Sequence, residues 1–396
     1  MTIPSPIPRR IAHFDLDTFF VAVERLKDPT LVGQPVLVGG RGPRSVVATA
    51  SYEARVFGCH SAQPMTQALR LCPQAIVVPP DFASYRTASE GFHAVLREAS
   101  PLVESVGLDE AYADLTGIGV AADGPREAAE AARRRVRGEL GLAVSVGIAG
   151  SRTVAKVASD RAKPDGVLDV PVGGDAVFLA PLPLRDLPFL GPRAEERLRA
   201  AGVRTLGQLA QLDERWLLAT FGSHGLGLAR RARGIDPEPV HSDARAAVSV
   251  SREVTFGEDV TDLDRLRQVL RAHAEEIGAD LRASERRART VTLKARWPDF
   301  TTFTRGATFG QPLQTTEQLS SAGASLLDQL FVQEGRHPVR LIGLGATNLV
   351  EDAVQLGFED GRLLHDQQLD RAIDEIRDRF GNDALWRGLA PRRRWR

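Results

Sequence analysis

The stretch His13-Phe-Asp-Leu-Asp-Thr-Phe-Phe20 decides how the first half of the chain is interpreted. The residues from Arg9 to Phe14 form a short run that predicts a buried strand. A helix is predicted next, because apolar residues recur at helical spacing at Phe19, Phe20, Val23 and Leu26. Asp15 therefore stands where a strand gives way to a helix, and a carboxylate at such a point can face a cleft. Asp17 is expected to cap the helix with its side chain.

A second acidic motif is Glu104-Ser-Val-Gly-Leu-Asp-Glu-Ala-Tyr-Ala-Asp114, inside a stretch from Val103 to Leu115 that predicts a strand. Within this motif, the adjacent carboxylates of Asp109 and Glu110 repel each other unless a cation lies between them. Together with Asp15 they provide enough oxygen ligands for two Mg²⁺ ions about 4 Å apart, which suits an in-line phosphoryl displacement. A surface turn remains the alternative from these residues alone.

Basic residues and hydroxyls cluster in two further motifs. In Thr49-Ala-Ser-Tyr-Glu-Ala-Arg55 a strand ends and a helix begins, which favours anion binding. The segment from Ala155 to Gly166 carries Lys156 and Lys163, two of only four lysines among 51 basic residues. A retained ammonium in so arginine-rich a chain hints at a role.

The segment from Leu187 to Val203 predicts a helix-hairpin-helix. Its turn at Gly191 offers backbone amides, and Arg193 follows closely, so the motif can hold a phosphate. A plain helical hairpin has the same spacing and stays open as an alternative.

Composition limits the class of protein. The chain has 396 residues, 43% hydrophobic and 26% charged, which fits a globular protein of several domains. No apolar run approaches the ~18 residues of a membrane span, and MTIPSPIPRR at the start has no signal-peptide pattern. Two cysteines without CxxC spacing favour a reducing, cytoplasmic location and no structural zinc.

The net charge of zero conceals uneven patterning. From Leu281 to Pro298 there are six basic residues and one acidic residue. From Leu190 to Gly234 there are eight basic residues and four acidic residues. Such clusters let a neutral protein follow a phosphate backbone, although a solvated surface is the simpler explanation of charge alone.

The order of predicted elements divides the chain. Strands alternate with helices in the first half, and short helices only are expected between Val172 and Asp236. The residues from Arg230 to Ala247 predict a linker. From Val248 to Leu349 a separate α/β unit is expected, with helices near 262–284 and 315–332 and strands near 290–297 and 339–345.

These motifs together resemble the Y-family DNA polymerases, the translesion enzymes, and within them the DNA polymerase IV type. The resemblance extends from Arg10 to Leu349 through FDLDTFF, VVATASYEARVFG, LDEAYADLTG, SVGIAGSRTVAKVASDRAKPDG, LARRARGID and SREVTFGED. It implies template-directed, low-fidelity DNA synthesis on a primer 3′ end, for translesion synthesis and DNA repair. Primer-template DNA and deoxynucleoside triphosphates are the implied partners, with no membrane and a monomeric chain.

The implied architecture is an α+β multidomain right hand with a ferredoxin-like palm. The resemblance assigns the palm to 1–18 and 82–171, small fingers to 19–81, a helix-hairpin-helix thumb to 172–236 and a linker to 237–246. An α/β little-finger domain at 247–349 and a tail at 350–396 complete the chain.

The resemblance also implies site residues. Asp15, Asp109, Glu110 and the Leu16 carbonyl would hold two Mg²⁺ ions, with Mn²⁺ as a substitute. The nucleotide contacts would be Phe19, Phe20, Thr49, Tyr52, Arg55 and Lys163, and the ring of Phe20 would be the steric gate against a ribose 2′-hydroxyl. The DNA contacts would be Gly191, Arg193, Arg282, Arg286, Arg287, Arg289, Lys294 and Arg296. The replication sliding clamp is a further implied partner, and its contacts would be Gln355, Leu356 and Phe358.

Four positions depart from the family pattern. Gly107 stands where Ser is usual, Phe189 where the hairpin usually has its first Gly, and Gln63 where Met is frequent. The clamp-binding segment, Val354 to Glu359, is one apolar residue short. Two other classes compete: a polymerase-like scaffold that binds DNA without chemistry, and a nucleotidyl cyclase. The three carboxylates argue against the first, and the hairpin and basic last domain against the second.

Overall fold

A computed structural model describes residues 7–118, 124–242, 247–351, 361–381 and 384–385. The chain divides into two compact units, a first unit of residues 1–41 and 46–244 and a second unit of residues 42–45 and 245–396. Each unit has its own apolar core. No described helix has the combination of length and apolar character needed to cross a membrane.

The first unit begins with mixed structure and ends in helices. Its elements are β1 (Ile11–Leu16), α1 (Phe19–Lys27), β2 (Val36–Gly39), β3 (Val47–Ala50), α2 (Tyr52–Arg55), α3 (Met65–Leu71), β4 (Ile76–Val78), α4 (Phe82–Ala99), β5 (Val103–Ser105), β6 (Glu110–Asp114), α5 (Gly124–Leu140), β7 (Val144–Ala149), α6 (Arg152–Ala162), β8 (Val167–Asp169), α7 (Asp175–Leu179), α8 (Pro192–Ala200), α9 (Leu206–Ala210), α10 (Glu214–Phe221) and α11 (Ser223–Ala232).

A five-stranded sheet in the order β5-β6-β1-β7-β8 forms the predicted palm. Strand β1 lies at its centre and pairs antiparallel with β6 and β7, and both of its faces are covered, so all six residues are buried. Alternation along β1 sends Phe14 toward the core shared with α4 and α5, and Ile11 toward the core shared with α6. His13 and Asp15 therefore point to the α6 side.

The sequence prediction of one strand from Val103 to Leu115 is wrong. Two strands, β5 and β6, pair antiparallel, with Val103 opposite Ala113 and a turn between them. Gly107 lies in that turn, and the adjacent acidic residues after it oppose continuation of a strand. The turn places Asp109 and Glu110 at the edge of a hairpin.

The predicted fingers contain a three-stranded sheet in the order β3-β2-β4. This sheet and helices α2 and α3 have a small core of their own, built on Leu37, Ala54, Met65 and Ala68. Helix α1, which the prediction places in the fingers, contributes Phe19 to the core of the five-stranded sheet.

The region predicted as the thumb, Val172 to Asp236, contains helices α7 to α11 and no named strand, as expected. The helix-hairpin-helix is asymmetric. Its second helix is α8, but the segment before the turn is only a 3₁₀ turn at Leu184–Asp186.

The second unit is an antiparallel sheet covered by helices on one face. Its elements are β9 (Ser249–Val260), α12 (Leu263–Ala283), β10 (Arg286–Arg296), β11 (Thr302–Leu313), α13 (Thr316–Glu334), β12 (Val339–Glu351) and α14 (Gly361–Phe380), and the strand order is β11-β10-β12-β9. Strand β11 was not predicted from the sequence. This edge strand carries Gly306, Gly310 and Pro312, which weakened its strand pattern.

Candidate active site

Three carboxylates meet at one end of the five-stranded sheet. Asp15 on β1 is the direct register partner of Glu110 on β6. The backbone amide of Leu16 donates a hydrogen bond of 2.8 Å to the carbonyl of Asp109, which holds the β5–β6 turn against the end of β1. The predicted grouping of Asp15, Leu16, Asp109 and Glu110 is therefore a consequence of strand register.

Two ammonium groups from the α6 region neutralise this acidic cluster. Lys163 Nζ lies 2.9 Å from Asp15 Oδ2, and Lys156 Nζ lies 2.6 Å from Glu110 Oε2. Within the described ranges, no three His, Cys, Asp or Glu side chains already surround one point as metal ligands would. Asp15 and Glu110 each pair with a lysine, and such a pairing favours the charged form of a carboxylate.

The pKa values of the three acids shift in different directions. Burial raises the pKa of Asp15, although Lys163 opposes the effect, and burial together with the charge of Glu110 raises the pKa of Asp109. His13 and Lys156 lower the pKa of Glu110 to about 2. Burial would lower the pKa of Lys163, but the charge of Asp15 outweighs it and raises that pKa. Added positive charge near Asp15 and Asp109 would therefore favour their ionised forms.

His13 is a site residue that the sequence reasoning missed. It is fully buried beneath Glu110, with Nε2 3.4 Å from Glu110 Oε2 and Nδ1 2.7 Å from the Ser159 hydroxyl. Burial lowers the pKa of His13, which favours the neutral ring, although Glu110 opposes the effect. Its position two residues before Asp15 was the available signal, because strand alternation puts both on one face.

The expectation that Asp17 caps α1 is wrong. The cap position belongs to Thr18, whose φ of 45° is left-handed and whose side chain makes no capping bond. The Asp17 carboxylate turns inward and accepts hydrogen bonds from Tyr52, Ser145 and the backbone of Asp165.

The predicted triphosphate contacts lie at the start of α2. Ser51 caps this helix, and Thr49 lies just before it on β3. The Tyr52 hydroxyl donates to Asp17 Oδ1 at 3.2 Å, and burial together with the Asp17 charge raises the pKa of Tyr52 to about 12. The guanidinium of Arg55 lies 5.1 Å from the Tyr52 ring centroid.

The predicted steric gate belongs to an aromatic cluster. The ring of Phe20 stacks on Tyr85 at 4.2 Å with an interplanar angle of 12°. Tyr85 is fully buried, and its hydroxyl donates to Glu24 at 2.7 Å. Phe19 points to the core, so only its backbone is available to a nucleotide. A rigid support therefore lies behind the Phe20 ring.

The structure shows the environment of three residues that depart from the family pattern, Gly107, Gln63 and Phe189. Gly107 has room for a side chain, because an added Cβ would lie 3.5 Å from the Asp109 carboxylate. Gln63 is buried, and its side chain accepts from the His60 amide within the fingers. Phe189 has a left-handed φ of 68°, where a glycine is unstrained, and its ring is 76% exposed.

In the thumb, Gly191 is the cap residue of α8, and Arg193 is exposed in its first turn. In the second unit, alternation on β10 places Lys294 and Arg296 on the sheet face opposite the core residues Leu293 and Ala295. Arg289 is exposed near the start of this strand, whereas Arg286 is half-buried and donates to the Leu349 carbonyl at 3.2 Å.

Two arginines predicted as DNA contacts do not lie on that open face. Arg282 is 12% exposed and forms ion pairs with Asp370 and Asp374 of α14. Arg287 is buried, with 5% exposure. The basic count of the Leu281–Pro298 segment thus mixed residues that hold the fold with residues that face solvent. The clamp segment, Gln355, Leu356 and Phe358, lies outside the described residues.

The comparisons with known proteins agree with this geometry. Residues 14–160 match the profile of the impB/mucB/samB family, and residues 247–358 match that of its C-terminal domain. A DNA polymerase IV of Dehalococcoides mccartyi strain CBDB1 is 40% identical over 97% of this chain and 98% of its own length. A DNA polymerase IV of Streptomyces coelicolor is 43% identical over 86% of this chain and 71% of its own length.

Solved structures show the same architecture. A Y-family chimera, Dbh-Dpo4(243-245)-Dbh, aligns with a TM-score of 0.79 and 25% identity over 87% of this chain and all of its own. An insertion ternary complex of Dbh DNA polymerase aligns with a TM-score of 0.62, the same identity and the same coverage. The fold is that of a right-hand polymerase, and the prediction of an α+β multidomain right hand is confirmed. The chain belongs to the Y-family DNA polymerases, in the DNA polymerase IV group.

Proposed function

We propose that this chain performs low-fidelity, template-directed DNA synthesis by a two-metal-ion mechanism, with its use in translesion synthesis and repair. The observation that carries the proposal is the strand register that sets Asp15 beside Glu110, with Asp109 held against Leu16. Primer extension by the purified chain tests it. A non-catalytic scaffold is disfavoured because such a protein has no need for buried, destabilised carboxylates.

The donor set fits Mg²⁺. Asp15, Asp109, Glu110 and the Leu16 carbonyl offer oxygen only, which hard cations prefer, and Mn²⁺ accepts the same ligands. When bound, such ions lower the pKa of the primer 3′-hydroxyl and neutralise charge on the transferred phosphoryl group. The raised pKa values of Asp15 and Asp109 support this assignment, because added positive charge would relieve both.

Cationic side chains would orient the triphosphate and receive the charge of the departing pyrophosphate. Lys163 is positioned to exchange its Asp15 partner for a phosphate oxygen, and Arg55 supplies a planar, two-pronged donor. Thr49 and the Tyr52 hydroxyl lie at the same helix start. Catalysis of this kind depends mainly on positioning and charge, since the protein forms no covalent bond.

The second unit would grip duplex DNA through the open face of its sheet. Thr290, Thr292, Lys294 and Arg296 alternate with core residues along β10, so their side chains share that face. Lys294 pairs there with Glu253 at 2.7 Å, an exposed contact that a phosphate can replace at little cost. Hydroxyls and cations on one face suit a phosphate backbone.

A double change, Lys294→Ala/Arg296→Ala, tests this surface. The slope of log affinity against log salt is negative, and loss of two phosphate contacts is expected to bring it closer to zero by about 2. Arg267→Ala/Arg271→Ala on α12 is the matched control, because it removes the same charge from exposed ion pairs on the helix layer. Fluorescence anisotropy with a primer-template duplex measures both. Equal slopes in the two variants and the wild type would place the DNA elsewhere.

The tail segment Gln355-Leu-Gly-Phe358 is proposed to bind the replication sliding clamp. Tethering to a ring raises the effective concentration of a polymerase at the primer end. Gln355→Ala/Phe358→Ala is expected to lose most of the clamp's effect on processivity, whereas Gln329→Ala/Val332→Ala, which removes an exposed amide and an exposed apolar side chain from α13, keeps it. If the clamp stimulates both variants as it does the wild type, the tail segment has another role.

A further inference from the structure

Asp17 is a buried carboxylate that the proposed chemistry does not use. It is 4% exposed, and three hydrogen-bond donors converge on it. Its Oδ1 accepts from the Ser145 hydroxyl at 2.9 Å and from the Tyr52 hydroxyl at 3.2 Å. Its Oδ2 accepts from the backbone amide of Asp165 at 2.6 Å. With these bonds made, the carboxylate has little capacity left for a cation.

The three donors come from three separate segments of the first unit. Tyr52 begins α2 of the fingers, Ser145 lies on β7, and Asp165 lies in the turn that follows α6. Asp17 itself is fixed from the backbone side, because its amide donates to the Ala143 carbonyl at 3.0 Å. One side chain therefore joins the fingers to two parts of the palm.

The turn held by Asp17 carries Lys163. Asp165 has a left-handed φ of 49°, so this turn needs outside support. Part of that support comes from α5, since Arg133 and Arg137 form ion pairs with the Asp165 carboxylate. The Asp17 bond to the Asp165 amide is the support that faces the active site.

The geometry points to Asp17 as a positioning residue that sets Tyr52 and Lys163 at a common spacing for the triphosphate. This inference rests on the proposed function, because it concerns the same nucleotide. Each bond to a buried carboxylate is of the strong, charge-assisted kind. Loss of the carboxylate would leave Tyr52 and the Lys163 turn free to move relative to each other, and nucleotide binding would weaken more than the chemical step.

Asp17→Asn, Tyr52→Phe and the double variant test this in single-nucleotide primer extension. Asp17→Asn is expected to raise KM for the correct deoxynucleotide about tenfold and to change kcat less than about threefold. The double variant is expected to raise KM little beyond Asp17→Asn alone, since both changes break one shared bond. DNA affinity stays at the wild-type value. Asp114→Asn is the matched control, because the Asp114 carboxylate accepts a hydrogen bond from the Thr116 amide, within its own turn.

The outcomes separate two failures. If the wild-type chain does not extend primers, the proposed function is wrong. If it does extend primers, three results would show that Asp17 does not position the nucleotide contacts. Asp17→Asn could keep the wild-type KM, or it could lower kcat alone. The third result is a KM increase in the double variant equal to the product of the increases in the two single variants. Should Asp17→Asn fail to fold, Asp17→Ser takes its place in the same cycle, since its hydroxyl leaves a polar group in the pocket but is too short to join Tyr52 to the Asp165 amide.

Discussion

Asp109→Asn is expected to lower the rate of nucleotide addition by at least about a thousandfold. Asp109 already sits in a field that disfavours its charge, because burial and Glu110 raise its pKa. A divalent cation held by these acids would offset that penalty, and the neutral amide of Asn would remove much of the attraction for it. Single-turnover primer extension with Mg²⁺ measures the loss.

The same variant is expected to bind primer-template DNA within about threefold of the wild type, because no phosphate-gripping residue changes. Asp114→Asn, on the same strand β6 as Glu110, is the control and should keep its extension rate. Normal extension by Asp109→Asn would remove this carboxylate from the catalytic site.

Phe20→Ala is expected to raise ribonucleotide incorporation relative to deoxyribonucleotide by about a hundredfold, equivalent to about 2.7 kcal/mol. The Phe20 ring cannot retreat from a 2′-hydroxyl, because it is stacked on the buried Tyr85. Removing the ring opens that space, whereas the carboxylates are unchanged. The ratio of kcat/KM for the two sugars on one template is the measurement.

Phe82→Ala provides the matched control for the gate. Phe82 meets Phe20 edge-on at 5.8 Å and is 40% exposed, so its loss thins the same aromatic cluster without removing the Phe20 ring. Its sugar preference should change by less than about fivefold. A Phe20→Ala variant that discriminates as the wild type does would place the gate elsewhere.

The carboxylate site could be predicted from the sequence because its residues are local to strand ends. Asp15 follows an apolar run, and the Asp109-Glu110 pair interrupts another. The resemblance then supplied their common role. Strand register, which brings Asp15 opposite Glu110, depends on pairing between distant segments and became visible only in the fold.

Contacts that depend on tertiary packing were the ones the sequence could not predict. Asp17 had the pattern of a helix cap, but donors from residues about thirty-five and more positions away turned it inward. Arg282 added to a basic count, although acids of α14 hold it at the protein's own surface. Charge counting records composition, whereas partner choice follows from the fold.

The most direct measurement of the central claim is primer extension by the purified full chain with Mg²⁺ and each of the four deoxynucleotides in turn. We expect the wild type to add the nucleotide complementary to the template base most efficiently. Chelation of the metal should stop addition, and Asp109→Asn should add none on the same time scale. A wild-type chain that binds the duplex but adds no nucleotide, or adds one without regard to the template, would contradict the central claim.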